Sequence, residues 1–465
     1  MSATDLATLS DPLPIEPVSR AFDVSIRPPG SKSLTNRALL MALLADGAST
    51  ITGALTDADD AHRMLTAIDQ LGGSVDERDT DTLGVTGTGG QLRGGCEVFL
   101  NNAGTATRFL TAAACFADGP VVIDGNARMR ERPIGELVGL LRTLGVTIEE
   151  LGEPGRVPIR MHPHRPAGGA IEVPTTLSSQ FISALYMTAP LMAQGLTVHL
   201  VGEITSPSYL RMTLGLMERL GTIPAAWAEG DAGGRRRGGA RSSDGLREVT
   251  VPGAAPIPAF RYDVEPDASG ATYLWAAAAI VPGGRVLVPG LDGRSLQGDA
   301  GFVELLGRMG AAVEYEDGGT RVIGPERLAP IEADMSEMPD AAMTLGAVCC
   351  FASGPSELRG LRTLRVKETD RIAATKTELE KVGAVVEVFD HEGEGGAADE
   401  GMRITPPDEP CSGPPVVFDT YDDHRMAMSL ALIGLRRAGV SIADPGCVRK
   451  TYAGYWTDVE RLRSI

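Results

Sequence analysis

Six short apolar runs, each opened by glycine and followed by an amphipathic stretch, recur along this 465-residue chain. They are GASTITGAL from Gly47, GPVVIDGNA from Gly119, GLTVHLVGE from Gly195, GGRVLVPGL from Gly283, GPSELRGLR from Gly354 and GVSIADPGC from Gly439. Each is rich in Val, Ile or Leu and short enough for one strand. The stretch that follows has helical spacing and closes on Leu-Gly or a variant of it. The closures are LGGSV (71–75), LGVTI (144–148), LGTIP (220–224), MGAAV (309–313) and VGAVV (382–386). Glycine there suits a left-handed helix stop, and the apolar residues beyond it predict a second strand. The sixth copy reaches Ile465 before a second strand, so its partner is expected from the segment near Phe22–Ile26.

Six copies of this size predict two lobes of three, hinged near Tyr262–Pro266, with a ligand cleft expected between them. Two stretches read as exposed insertions: Glu229–Arg247, with its run Arg235–Arg237, and His391–Gly401, rich in Glu and Gly. Nothing aromatic interleaves the arginine run, which reads as a solvated loop rather than a nucleic-acid tag.

The formal charge of −18 opposes a general nucleic-acid role. Hydrophobic residues make up 43% of the chain, enough for a sizeable core. The six cysteines form no CxxC pair, and the six histidines give no HExxH-like spacing, so neither a metal nor another cofactor is expected. Residues 1–15 are expected to be a flexible leader without signal-peptide character. No apolar run approaches the roughly 18 residues of a membrane helix. The expectation is a cytoplasmic, monomeric protein with no membrane partner.

Only five of the 43 basic residues are lysine: Lys32, Lys367, Lys376, Lys381 and Lys450. Lysine is a compact point charge where arginine is a rigid fork, so each lysine is read in its context. Lys32 lies in Pro29-Gly30-Ser31-Lys32-Ser33, before Asn36, Arg37 and an apolar helix. Small polar residues at a helix start suit an anion. Taken alone, Lys32 reads as well as a surface lysine on a capped helix. Lys367 and Arg371 are four apart and share a helical face. Alone, they read equally as an ordinary salt-bridged helix start. Lys450 follows the last apolar run. These three lysines are expected at equivalent strand-to-helix junctions, with Arg132, Ser206 and Tyr209 at the junctions of copies two and three. Arg425 adds a further charge. Lys376 and Lys381 are expected to face solvent.

Seven motifs stand in order: PGSKSLTNRAL (29–39), NAGTATR (102–108), RMRERPIG (128–135), SSQF (178–181), PDAAM (339–343), RVKETDR (365–371) and DDHRMAM (422–428). Together they resemble the 3-phosphoshikimate 1-carboxyvinyltransferase (5-enolpyruvylshikimate-3-phosphate synthase) family of enolpyruvyl transferases, from about Phe22 to Tyr455. The resemblance implies an α/β fold, a two-lobed inside-out α/β barrel of six βαβαββ units, three per lobe. It divides the chain into 16–30 plus 265–465 as a discontinuous first lobe and 31–264 as the second. It implies transfer of the enolpyruvyl group of phosphoenolpyruvate to the 5-hydroxyl of shikimate 3-phosphate, with phosphate released, on the shikimate pathway. Glyphosate, which mimics phosphoenolpyruvate, is the implied inhibitor.

Carried over by motif, Lys32, Gly104, Arg132, Gln180, Arg371, Arg425 and Lys450 would hold phosphoenolpyruvate. Lys32, Ser33, Arg37, Ser178, Ser179, Gln180, Ser206, Asp340 and Lys367 would hold shikimate 3-phosphate. Asp340 resembles the base for the hydroxyl, and Glu368 the proton donor to the methylene. An ordinary glutamate, with a pKa of about 4.3, would be ionised at neutral pH. The donor role therefore requires a raised value or a relay, with Lys450 and Lys32 able to share it. Two positions depart from the family: Thr363 stands where many members have Asn, and Phe109 where some have Pro. The nearest alternative is a UDP-N-acetylglucosamine 1-carboxyvinyltransferase-like activity. Such enzymes carry a reactive Cys in the loop where Gly125–Arg132 here has none. Cys115, in TAAACFA, reads as core. An RNA-binding relative and a noncatalytic anion-binding relative are the more distant alternatives.

Overall fold

The computed structural model describes residues 6, 8–77, 81–174, 178–202, 204–223, 246–316, 318–393 and 398–463. Every glycine-led run is a strand: Ala48–Thr52, Val121–Asp124, Leu196–Leu200, Arg285–Pro289, Ser356–Arg359 and Val440–Ile442. Each has a parallel neighbour on one side and an antiparallel neighbour on the other. The strand after the Leu-Gly stop lies at the sheet edge, as Ser74–Glu77, Ile148–Glu150, Ala312–Glu316 and Val385–Glu392 do. The stop glycines are left-handed, from Gly72 at φ +97° to Gly383 at +90°. Any other residue would meet the Cβ–carbonyl clash there.

The chain forms two compact units, Lys32–Val264, and Met1–Ser31 with Glu265–Ile465. The first holds three almost wholly buried helices, Lys32–Leu44, Gly104–Ala114 and Ser179–Thr188. The second holds three of the same kind, Ala268–Ile280, Ala342–Cys349 and His424–Gly434. Outer helices alternate with them, amphipathic in the case of Asp59–Gln70. Helices thus fill each interior and sheets cover it. Among the described residues the six sheets stay separate, with three or four strands each, and do not close into one hydrogen-bonded barrel.

All thirteen residues of Ala268–Ile280 are buried. Asp267 caps that helix, accepting from Gly270 N at 3.0 Å. The polar edge of its Trp275 is satisfied by donation to Thr320 O at 3.2 Å. Burying each large apolar side chain contributes about 1.5–3 kcal/mol.

Two expectations fail at the N-terminus. Asp23–Ser25 does not complete the sixth sheet but pairs in parallel with Arg285–Pro289 of the fourth. The sixth is completed by Leu13–Ile15, antiparallel to Val440–Ile442. Alternating apolar side chains at Leu13 and Ile15 meet a strand edge that needs hydrogen bonds, so this part of the leader is ordered. Residues 1–5 and 7 lie outside the described residues, as do 224–245, which include most of the Glu229–Arg247 stretch. His391–Gly401 is largely not a loop. Val385–Glu392 and Ala398–Thr405 pair antiparallel up to Glu392↔Ala398, and only 394–397 fall outside the described residues.

Candidate active site

The motifs fall at two kinds of place, the starts of the buried helices and the starts of the outer ones. In the 265–465 unit, Asp340 lies in the short turn Pro339–Ala341 before the buried helix from Ala342. Asp423 caps the buried helix that carries Arg425, accepting from Arg425 N at 2.9 Å. Lys367, Glu368 and Arg371 lead into the outer helix Arg371–Glu380, capped by Asp370 through Ala373 N. Lys450 ends the turn Pro445–Lys450.

Arg371, only 1% exposed, is the hub of this cluster. It holds Asp423 in bidentate fashion, Nε to Oδ2 at 2.7 Å and Nη2 to Oδ1 at 3.1 Å. Its Nη1 donates to Asp340 Oδ1 at 2.9 Å and its Nη2 to Glu368 Oε2 at 3.0 Å. Burial opposes the Arg371 charge, but Asp423, Glu368 and Asp340 outweigh it and raise its pKa above the ordinary arginine value. Arg425 Nη2 lies 2.9 Å from Asp340 Oδ2, and Lys367 Nζ 3.6 Å from Oδ1. Burial likewise opposes the Asp340 charge. Arg425, Lys367 and Arg371 overcome it and hold the carboxyl well below the usual carboxylate range. Lys450 Nζ meets Glu368 Oε1 at 2.9 Å.

In the 32–264 unit the cations keep different company. Arg37 is fully buried on the helix from Lys32. It donates to Thr213 Oγ1 at 2.8 Å, Ser33 O at 3.0 Å, Tyr209 O at 3.4 Å and Ser183 Oγ at 3.5 Å. The Phe109 ring lies 5.2 Å from its guanidinium carbon. Burial pulls its pKa down to about 10, with Tyr209 working slightly the other way. Buried Arg132 donates to Asn102 Oδ1 at 3.3 Å. Among the described residues neither arginine has a carboxylate partner. Lys32 is 3.7 Å from buried Asp60. Gln180 Nε2 donates to Thr105 Oγ1 at 3.1 Å, and the Ser178 hydroxyl caps the helix of Ser179 and Gln180 through Gln180 N. Ser206 starts the outer helix Pro207–Arg219 in a left-handed conformation, φ +48°. Gly104 opens the helix Gly104–Ala114, where a Cβ would come within 2.3 Å of Arg108 Nη1 and 2.9 Å of both Arg132 Nη atoms.

Comparison with known proteins identifies this combination. The model of the EPSP synthase (3-phosphoshikimate 1-carboxyvinyltransferase) family matches residues 18–233 and 235–459. A 3-phosphoshikimate 1-carboxyvinyltransferase of Thiobacillus denitrificans is 42% identical over 436 residues, 93% of this chain and 95% of that one. One from Salmonella schwarzengrund is 41% identical over 454 residues, 97% and 98% of the two chains. The chain belongs to the EPSP synthase family.

Solved structures agree on the EPSP synthase fold. An EPSP synthase from Acinetobacter baumannii superposes with a TM-score of 0.74 at 23% identity, covering 98% of each chain. The enolpyruvyl transferase NikO from Streptomyces tendae does so at 0.68 and 15%, covering 97% of each. The sugar-nucleotide alternative is not favoured. Cys115 is buried, its thiol pushed up to about 12 by burial and donating to Ala112 O at 2.8 Å.

Within this EPSP synthase framework, the readings of Lys32, Lys376 and Lys381 change. Lys32 is not at the same junction as Lys367 and Lys450, because it starts a buried helix and they precede outer ones. Glu368 meets Lys450 and Arg371, while its neighbour Lys367 reaches Asp340 instead. Both expected to face solvent, Lys381 and Lys376 are half-buried: Lys381 is 2.7 Å from the buried Glu378, and Lys376 pairs with Glu380 and donates to Val386 O. Sequence reasoning passed over Asp423, although it stands in DDHRMAM, and over Asp60 and Asp299. Asp299 is buried on the turn Gly298–Gly301, in contact with the Ser269 hydroxyl. Burial first, then the Asp340 charge, push its carboxyl up to about 7, against smaller opposing effects of Arg425 and Ser269. The buried Thr363 hydroxyl makes no hydrogen bond to any described residue. No group of His, Cys, Asp or Glu able to hold a metal occurs among the described residues. No helix there is long and apolar enough to cross a membrane.

Proposed function

We propose that this chain joins the 5-hydroxyl of shikimate 3-phosphate to C2 of phosphoenolpyruvate and releases phosphate, by addition and then elimination through a tetrahedral intermediate. The observation that carries the chemistry is the pairing of two acids, Asp340 and Glu368, with four cations at the helix starts of one unit. Both substrates are polyanions, together carrying about five to six negative charges by analogy with phosphomonoesters. Lys32, Arg37, Arg132, Lys367, Arg371, Arg425 and Lys450 answer that charge. Arginine suits a carboxylate clamp and lysine a phosphate.

Asp340, held ionised by three cations, accepts the proton of the attacking hydroxyl. Glu368 delivers a proton to C3, making C2 electrophilic. Its 2.9 Å contact with Lys450 supplies a relay: the ammonium passes a proton to the carboxylate, which passes it on. Arg425, Arg132, Arg371, Lys32, Gly104, Gln180 and Lys450 hold phosphoenolpyruvate. Arg371 spends four N–H groups on its three carboxylates, and the second N–H of Nη1 is left to donate to that ligand. Ser178, Ser179 and Ser206 hold the phosphate of shikimate 3-phosphate. Ser33, Arg37, Lys367 and Asp340 hold its carboxylate and hydroxyls, and Lys32 and Gln180 contact both substrates. Gly104 leaves the Arg132 guanidinium close to the helix start, and glyphosate competes there with phosphoenolpyruvate. The enzyme acts as a cytoplasmic monomer.

The test is phosphate release from phosphoenolpyruvate with shikimate 3-phosphate, beside a reaction with UDP-N-acetylglucosamine. Release with the first acceptor alone is expected, and release with the sugar nucleotide alone would overturn the reading. Full activity in millimolar glyphosate would overturn the inhibitor claim separately.

A further inference from the structure

The loop between the strand Val416–Phe418 and the helix His424–Gly434 carries two consecutive non-glycine residues at positive φ, Tyr421 at +57° and Asp422 at +54°. L-residues resist this conformation, and single instances persist where surrounding contacts impose them. Both side chains are exposed, so packing does not impose it. Hydrogen bonds do. Glu378, whose side chain is wholly buried, accepts from Tyr421 OH at 2.7 Å on one oxygen and from Asp419 N at 2.9 Å on the other. Lys381 Nζ lies 2.7 Å from that second oxygen and also donates to Val417 O and Asp419 Oδ2, at 3.2 and 3.1 Å.

Glu378 and Arg371 belong to one helix, seven residues apart, which puts them on one face about 10 Å from each other along the axis. Arg371 grips Asp423 at the far end of the loop while Glu378 grips Asp419 and Tyr421 at the near end. Asp423 N donates to Thr420 O at 2.9 Å, closing the turn between them. The residue that follows this clamped turn by two positions is Arg425.

We infer that Glu378 is a positioning residue for the reaction: it holds the 419–422 loop in its left-handed form and so fixes where Arg425 presents its guanidinium to phosphoenolpyruvate. The inference rests on the function proposed above. It makes a prediction that a merely structural buried glutamate does not. Glu378→Gln places a donor where an acceptor is needed, and Tyr421→Phe removes one hydroxyl from an exposed ring. Misplacing a guanidinium by a fraction of an ångström raises KM for phosphoenolpyruvate by about tenfold in Glu378→Gln and about threefold in Tyr421→Phe. KM for shikimate 3-phosphate stays within about twofold by the same reasoning. Glycine takes positive φ without the clash, so adding Asp422→Gly to Glu378→Gln restores much of the phosphoenolpyruvate KM.

Steady-state kinetics of the four proteins, with urea unfolding beside them, test this. An unchanged KM for phosphoenolpyruvate in both single variants overturns the inference. So does a parallel change in kcat and both KM values that tracks stability and is not rescued by glycine. If Glu378→Gln does not fold, Tyr421→Phe decides by the same KM. If the unsubstituted chain releases no phosphate, it is the proposed function that has failed. Hydrogen exchange at the 419–423 amides then reads the clamp alone: faster exchange in Tyr421→Phe supports it and unchanged exchange refutes it.

Discussion

Arg371 and Arg37 are both buried, both near helix starts, and held in opposite ways. Arg371 touches three carboxylates, while Arg37 touches hydroxyls, carbonyls and an aromatic ring. The shift in proton affinity follows: upward for Arg371, down to about 10 for Arg37. In the 265–465 unit the charges of Arg371, Arg425, Lys367 and Lys450 are already answered by Asp340, Glu368 and Asp423. In the 32–264 unit Arg37 and Arg132 are held by neutral groups, while Lys32 lies 3.7 Å from Asp60. A buried guanidinium without a counter-ion is an unfavourable thing to maintain, and an incoming anion relieves it. On the function proposed above, the first cluster would do the proton chemistry and the second the anion capture.

The comparison is broken most severely by Arg371→Met. That change leaves Asp423, Asp340 and Glu368 short of their shared cation, and about 3–5 kcal/mol of stability is expected to be lost in urea unfolding. A loss below about 1 kcal/mol would mean that the carboxylates find other partners or take up protons. Asp299 sharpens the contrast, because it is an acid in the crowded cluster without a cation in contact among the described residues. Its folded pKa of about 7 lies above the ordinary aspartate value of 3.8, so the native state keeps a proton that the unfolded chain releases. Stability therefore falls as pH rises from about 4 to 7 and levels off above that. Asp299→Asn removes this slope, and by pH 8 it should gain on the unsubstituted protein by roughly 2–4 kcal/mol relative to pH 4. A stability gap independent of pH would show Asp299 ionised throughout.

Arg37→Met is the counterpart of the first change and should behave differently. It removes an uncompensated charge, so stability is expected to move by no more than about 1 kcal/mol. Affinity for shikimate 3-phosphate should fall about a hundredfold in titration calorimetry, through loss of a charge-assisted contact. A large stability loss with unchanged affinity would erase the distinction between the clusters. The smallest effect is expected from Gly104→Ala. The added methyl meets the Arg108 and Arg132 guanidiniums. Because the ends of long side chains can yield, KM for phosphoenolpyruvate should rise only about three- to tenfold, with stability nearly unchanged.

The six-fold repeat was legible because glycine, strand and Leu-Gly stop recur in the same order, and the structure puts a strand at every glycine-led run. The buried helices were not legible from periodicity. Ala268–Ile280 is buried on every face, so it has no amphipathic stripe to detect, and the apolar helix after Lys32 is legible from its composition instead. Strand partners at the N-terminus were missed for another reason. Pairing between Leu13–Ile15 and Val440–Ile442 spans almost the whole chain, and no local pattern encodes such a partner. At the site, the motifs pointed to the cations and to Asp340 and Glu368. They did not show that Lys450 rather than Lys367 meets Glu368, because i and i+1 neighbours on a chain face apart. Asp60, Asp299 and Glu378 carry no signal beyond being acidic, and only their burial marks them out.

The way the sheets borrow strands sets an order of assembly on the ribosome. Every described strand of the Lys32–Val264 unit has been synthesised once residue 263 has emerged, so that unit can close while the chain is still growing. Leu13–Ile15, made before that unit, waits for Val440–Ile442 and until then lacks its strand partner. Translation that stops anywhere between residues 264 and 440 therefore releases a chain with one finished unit and one that lacks its last sheet. A quality-control protease would meet its substrate at the two ends of the sequence rather than in the middle.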